Sequence, residues 1–379
     1  MKRRSNNQGS VVERGDGRWE ARMSLPNGKR KSTYAKTRRE AEKKLREMLT
    51  DLDKGIVPTD GHQTIKQFLT SWLESIQSQV EPSTFISYRT HARRIMKELG
   101  NLSLAKLTPQ QLQAFYTKKV ADGLALSTVN RTHTIFKVAL NDALLLNLVS
   151  RNVAMLVKPP KYEPKERVPY TEEQAKILLN AAKGDRFEAL YVLVLATGMR
   201  EGELLALQWK DIDFEKRELY LVHGIQVTLT GYRVTHPKSP SSKRRILLPA
   251  HVIDALKRHR ERQFQERDKA GTDWDTSTDW IFPNSFGRRM LPKSFLAGPY
   301  ARLLKKSGLP RIHFHDLRHT AATLLLRRGV NIKVVSEMLG HASVAITLSI
   351  YAHIMPGMHQ QAADVSEQIF GIPIKEGDE

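Results

Sequence analysis

"HFHDLRHT", residues 313–320, places three histidines and an arginine within eight positions of a chain that has 13 histidines in 379 residues. Two readings compete. His315 and His319 lie four apart, so on a helix they share a face, and H-x-x-x-H is the spacing by which zinc metalloproteases hold their ion. Alternatively, His315 and Arg318, three apart, aim together at an anionic oxygen while His319 faces the core. The metal reading takes His341 as a third ligand and needs a Glu directly after the first histidine as general base; Asp316 stands there, one methylene shorter.

The overall charge favours the anionic oxygen. The chain carries 61 Lys plus Arg against 40 Asp plus Glu, a net charge of +21, which points to a polyanionic partner, nucleic acid first and an anionic membrane second. The longest apolar stretch, "ALYVLVLATG" at 189–198, is much too short to span a bilayer, so no membrane partner is expected. "MKRR" is followed by polar residues and not by the apolar core of a signal peptide. With no cysteine, disulfides and thiolate metal sites are excluded, which fits a reducing cytoplasm.

Upstream, the first 50 residues hold 15 Lys or Arg against 6 Asp or Glu. Within them, "GSVVERGDGRWEARMSLPNGKRKSTYA" alternates strand-like runs with Asp16-Gly17 and Asn27-Gly28, dipeptides that favour tight hairpins, so three antiparallel strands are expected. "TRREAEKKLREML" then opens with Thr37 and Glu40 at capping-box spacing and repeats Ala41, Leu45, Met48 and Leu49 on one helical face. Surface charge is often only solvation, but Arg14, Arg18, Arg22, Lys29, Arg30 and Lys31 crowd a small sheet, and a β-ribbon can enter a major groove. DNA binding is the favoured reading of residues 1–55.

After the linker-like "DKGIVPTDGHQ", four helical patterns fill residues 64–150. Ile65, Phe68, Leu69, Trp72, Leu73 and Ile76 mark the first; a second runs from about Ser83 to Gly100, a third is capped by Thr108 and a fourth by Ser127. Arg89, Arg93 and Arg131 are candidate phosphate contacts on its surface, and Arg94, Lys118 and Lys119 accompany them. The stretch 151–170 holds four prolines and cannot be one helix. A mixed, mainly helical segment follows over 165–379, with helices at 171–182 and 186–197 and strands at 218–223 and 244–248. The fold class expected is therefore multidomain, mainly α with small β elements: a three-stranded sheet plus helix, a four-helix domain, then a mixed α+β domain.

Four islands in this last segment hold polar residues that propensity does not demand. In "ATGMREGELLALQWKDID" Arg200 lies on a turn between buried elements, where it can grip a phosphate bidentately or simply pair with Glu203 or Asp211. In "THPKSPSSKRRILLP" Lys238 sits in a Pro- and Ser-rich turn between two strands. "HFHDLRHTAATLL" is the third. In "LGHASVAITLSIYAH" Gly340 ends a helix, His341 follows, and Ser343 can cap a short helix bearing Tyr351.

Together the islands resemble the tyrosine recombinase (phage integrase) family, whose pattern is T-G-x-R-x-x-E-L, a hairpin lysine, H-x-L-R, L-G-H and T-x-x-x-Y-x-H. Matching residues are Thr197-Gly198-Met199-Arg200 with Glu203-Leu204, Lys238, His315 to Arg318, Leu339-Gly340-His341, and Thr347, Tyr351 and His353, in order over about 150 residues. Lys243, Arg244 and Arg245 lie a few residues from Lys238 in the same hairpin. Upstream, residues 64–150 look like the family's core-binding domain and residues 1–55 like an arm-binding domain of phage and conjugative-transposon integrases.

The resemblance implies a catalytic set of Arg200, Lys238, His315, Arg318, His341 and Tyr351. The two arginines clamp the scissile phosphate and the histidines add hydrogen bonds; Tyr351 attacks, with His315 a candidate base and Lys238 the general acid. Such cations suit the charge that gathers on phosphoryl oxygens, so no metal or other cofactor is expected. It further implies a 3′-phosphotyrosine, a homotetramer on double-stranded DNA with core and arm sites, a Holliday junction, and action in the cytoplasm on the bacterial nucleoid. A DNA-bending protein and an excision factor are candidate accessory partners. The tail "AADVSEQIFGIPIKEGDE" carries Ile369, Phe370 and Ile372 and is expected to pack on a neighbouring subunit. Competing readings are a non-catalytic DNA binder and a topoisomerase-like enzyme; the basic unit at 1–55 favours a mobile-element integrase over a chromosome-dimer resolvase of the Xer type.

Overall fold

The computed structural model describes residues 9–24, 30–53, 63–163, 168–235, 243–351 and 358–370. Contacts divide the chain into two units, Met1–Lys165 and Glu166–Glu379.

The first unit opens with an antiparallel sheet of β1 (Ser10–Glu13), β2 (Trp19–Ser24) and β3 (Arg30–Ala35) in that order. Its first turn uses Gly17 at φ +76°, a left-handed conformation that glycine adopts without a Cβ penalty. Strand alternation puts Ala21, Met23 and Ala35 on one face, where they bury against Ala41 and Leu45 of α1 (Arg38–Asp53). Glu20, Arg22 and Tyr34 lie on the other face, since Glu20 is registered with Tyr34 and Arg22 with Ser32. Asn27, Gly28 and Lys29 lie outside the described residues.

Four helices follow: α2 (Ile65–Ile76), α3 (Pro82–Leu99), α4 (Pro109–Ala121) and α5 (Leu126–Leu145). Thr64 and Thr108 cap α2 and α4 through full capping boxes with Gln67 and Gln111, each satisfying two backbone groups that a helix start would orphan. Helix α3 begins at Pro82, whose missing N–H costs nothing at a first helical position. Helix α5 starts before Ser127: the amides of Thr128 and Val129 already bond to the Ala125 carbonyl, so Ser127 is inside the first turn. The predicted face of α2 is the buried one. Trp72 donates to Asp142 at 2.7 Å, and His91 meets Thr132 at 2.8 Å, tying α2 and α3 to α5.

In the second unit, α6 (Glu172–Ala182) and α7 (Glu188–Thr197) lead into the four-residue helix α8 (Glu201–Leu204). Strands β4 (Ile212–Asp213), β5 (Glu218–Leu221) and β8 (Arg244–Leu247) form one sheet in the order β4-β5-β8, and β6 (Gly224–Thr228) pairs with β7 (Gly231–Thr235) in a separate hairpin. The long helix α9 (Ala250–Ala270) packs on α7, and α10 (Pro292–Phe295), a π-helical turn and α11 (Ala301–Ser307) follow. Then come α12 (Phe314–Arg327), α13 (Ile332–Leu339), α14 (Val344–Tyr351) and α15 (Met358–Phe370). Helix α7 is almost wholly buried at the centre of the largest apolar cluster, so its C-terminal end is a rigid platform. The hairpin β6–β7 was not expected from sequence; Ile225 and Val227, and Tyr232 and Val234, do alternate with polar residues, but neither of its faces is fully buried.

Candidate active site

The site forms where three chain segments end close together. Helix α7 stops at Gly198, at φ +62°. A Cβ there would lie 2.5 Å from Leu339 Cδ2 and one on Gly340, at φ +69°, 2.7 Å from an Arg244 nitrogen. Both glycines therefore allow the ends of α7 and α13 to close on their neighbours.

Arg318, on the first turns of α12, is 3% exposed. Its guanidinium donates to the Gly198 carbonyl at 2.7 Å and to the Leu339 carbonyl at 2.8 Å. These carbonyls end α7 and α13, the negative poles of their helix dipoles, which suits a buried cation. Burial, and after it Arg200, lowers its pKa to about 10, so Arg318 stays charged at neutral pH.

Arg200 precedes α8. It donates to Glu203 Oε1 at 2.9 Å and to the Gly340 carbonyl at 3.2 Å, while its amide binds Glu203 Oε2 at 2.8 Å. Of the two carboxylates weighed as partners, Glu203 holds it; Asp211 instead accepts from the Gln208 amide. Burial alone would raise the Glu203 carboxyl, yet Arg244 and Arg200 keep it below its ordinary value. Arg244 grips both Glu203 oxygens, at 3.2 and 3.0 Å, and donates to the Met338 carbonyl at 2.7 Å. One carboxylate thus fixes two arginines, each also tied to the end of α13.

His341 follows Gly340, and its Nδ1 lies 2.8 Å from the Thr347 hydroxyl. Burial, then Arg318, Arg200 and Arg244, pushes its pKa to about 4, so the ring is neutral at pH 7. When Thr347 donates to Nδ1, the proton sits on Nε2, free to be donated.

Tyr351 ends α14 and is 2% exposed. Its ring packs with Ala322, Leu326, Val335 and Leu339, and its hydroxyl lies 2.8 Å from His319 Nδ1. Burial raises the phenol to about 12 against the opposing pull of Arg318. The expectation that His319 faces the core is therefore corrected: it is half-buried and turned to the tyrosine. His315 lies exposed one turn earlier, its ring edge-on to His319 with centroids 5.3 Å apart. H-x-x-x-H does lie on one helical face, but among the described residues no three His, Asp or Glu side chains gather as metal ligands. Lys238 lies outside the described residues.

The positions brought together are thus Arg200, Arg318, His341 and Tyr351. Glu203, weighed as a partner of Arg200, and His319, weighed as a metal ligand, join them, as do Arg244 and Thr347, to which no separate role was given. A signal for Arg244 was present: at two and four residues from Ile246 and Leu248, which face the core, it shares their face, whereas Arg245 turns outward to Glu218.

In the first unit, Arg14 and Arg18 each stand 5.6 Å from the Tyr34 ring. Arg22 binds the buried Glu20 at 2.7 Å and Arg14 approaches it at 3.6 Å. The Arg22 hydrogen bond holds the Glu20 carboxyl down at about 2. Arg30 shares this open face by register, whereas Lys31, one residue on, belongs to the face that α1 covers. Arg89 and Arg93 stand one turn apart on α3, and Arg131 is exposed on α5.

Residues 170–357 match the phage integrase family, and residues 64–120 match the phage integrase N-terminal SAM-like domain. A tyrosine recombinase XerC-like protein of Caldanaerobacter subterraneus subsp. tengcongensis is 34% identical over 91% of this chain and 93% of its own length. The transposase from transposon Tn916 of Enterococcus faecalis is 29% identical over 82% of this chain and 80% of its own. The Tn1549 transposon integrase in complex with transposon right end DNA superposes with a TM-score of 0.66 at 25% identity, covering 81% of this chain and 99% of that one.

Proposed function

This chain belongs to the phage integrase family of tyrosine recombinases, and we propose that it integrates or excises a mobile DNA element through a 3′-phosphotyrosine formed on Tyr351. It is an enzyme of DNA strand breakage and rejoining. The observation that carries the residue assignments is the convergence of Arg200, Arg318, His341 and Tyr351 from separate islands onto the ends of α7 and α13.

Attack on a phosphodiester gathers negative charge on the non-bridging oxygens. Arg200 and Arg318 are preorganised cations for that charge, and His341 and His315 add donors, a role that metal ions serve in many nucleases. Tyr351 is the nucleophile, and Lys238 donates a proton to the departing 5′ oxygen. Because the phosphotyrosine conserves the energy of the broken bond, a 5′-hydroxyl from a second duplex can displace the tyrosine without ATP.

Residues 165–379 do the chemistry in this account, residues 64–150 hold core sites through Arg89, Arg93 and Arg131, and residues 1–55 hold arm sites. The open sheet face with Arg14, Arg18, Arg22, Arg30 and Tyr34 supports the last role; Lys31, on the face that α1 covers, is left out of it, and Lys29 remains assigned to the arm-site contact. The enzyme works as a homotetramer on two duplexes in the cytoplasm, on the nucleoid, with a DNA-bending protein and an excision factor as candidate helpers. Kinship to a transposon transposase and a transposon integrase supports the mobile-element reading.

Two labelled attachment-site duplexes incubated with the protein test this. Exchange of flanks through a four-way junction is the expected result. Cleavage and religation confined to one duplex would favour a topoisomerase-like enzyme, and binding alone a non-catalytic protein.

A further inference from the structure

An attacking tyrosine must lose its proton, and the phenol of Tyr351 is poorly placed to lose it to water. It is 2% exposed and pushed up to about 12, so that only roughly one molecule in 10⁵ would carry a free phenolate at neutral pH. The ring at hydrogen-bond distance is His319, with Nδ1 2.8 Å from the hydroxyl and ring centroids 5.8 Å apart.

We propose that His319 is the base that takes the Tyr351 proton in strand cleavage and returns it in rejoining. The proposal rests on the reading of Tyr351 as nucleophile. It moves the proton away from His315, the candidate base that the family resemblance implied.

The step balances as follows. The Tyr351 oxygen forms its bond to phosphorus as the bond from phosphorus to the 5′ oxygen breaks, and that electron pair leaves with the 5′ oxygen. The phenolic proton passes to Nδ1 of a neutral His319 whose own proton is on Nε2, while the 5′ oxygen takes a proton from the general acid assigned to Lys238. In rejoining, an incoming 5′-hydroxyl attacks the phosphotyrosine, its proton goes to that acid, and the leaving phenolate recovers its proton from His319.

Charged and titratable groups reach the base from three elements. Arg318 adjoins His319 on α12, His315 stands one turn before it, Tyr351 reaches it from α14, and His341 from the loop after α13 lies within electrostatic reach. As the phosphate and the forming phenolate bring negative charge into the site, a protonated His319 gains an oppositely charged neighbour. Helix α12 thereby carries the clamp and the base on consecutive residues, and the apolar packing of the Tyr351 ring on Ala322 and Leu326 of the same helix fixes their mutual geometry.

The test is single-turnover covalent adduct formation by the full chain on a nicked suicide duplex, followed against pH for wild type, His319→Gln and His319→Asn. A second substrate carries sulfur in place of the bridging 5′ oxygen, a leaving group that needs no proton. The variants, with unchanged thermal unfolding, are expected to be slower by about 10²–10⁴-fold and to recover as rising pH ionises the phenol. Their deficit persists on the sulfur substrate, where a Lys238→Ala deficit disappears. Adduct formation at close to the wild-type rate, or a loss that is the same at every pH, overturns the proposal. If wild type itself forms no adduct on Tyr351, the underlying reading of the nucleophile fails instead.

Discussion

Arg318 and His91 show how burial is used differently at single residues. Arg318 is buried yet charged because two helix-end carbonyls receive its guanidinium; His91 is buried and neutral, lowered to about 4 by loss of solvent and then by Arg94 and Arg131. The sign of the pH effect follows. The unfolded chain binds a proton at His91 near pH 6.5 whereas the folded chain does not until about pH 4, so this contribution to stability is present above 6.5 and lost as pH falls toward 4. Between pH 7 and pH 5 wild type should lose roughly 2 kcal/mol more than His91→Phe in denaturant unfolding; equal losses would show that His91 is not held neutral. Of the residues with proposed chemistry, Arg200, His315, Arg318, His341 and Tyr351 were legible through their match to the family's pattern of motifs. His319 was not, because an (i, i+4) pair announces a shared face without saying what lies opposite. Glu203 was read as a partner of Arg200, but its second arginine comes from 41 residues away, a pairing only the folded chain creates.

Elements were legible where local chemistry decides them. The α2 face and the caps at Thr64 and Thr108 are set by side chains within one turn, though only the face of α2 and the Thr108 cap were anticipated. The hairpin β6–β7 was missed because its stability comes from cross-strand pairing and not from a buried face. Helix α15 raises a different question, for Ile369 is 63% exposed and Phe370 75% exposed; Ile372 lies outside the described residues. Apolar side chains at one helix end are consistent with packing on a neighbouring subunit. Truncation after Met358 is expected to leave adduct formation on a single site largely intact and to abolish junction formation between two sites. Junctions formed at the wild-type rate would return the tail to its own domain.

For the whole molecule, the net charge of +21 suits a long polyanionic partner, and four separate apolar clusters lie along the described residues. Composition made the charge readable and periodicity the buried helical faces; the residues joining one segment to the next carry no packing pattern from which their arrangement could be read. The account as a whole stands on one bond, between Tyr351 and a DNA 3′ phosphate. A suicide duplex nicked near an attachment site, incubated with the full chain in EDTA and resolved on a denaturing gel with peptide mapping, tests it most directly. A covalent adduct on Tyr351 that Tyr351→Phe abolishes is the predicted result. Tight, salt-sensitive binding to the same duplex without an adduct, or an adduct on any other residue, would contradict it.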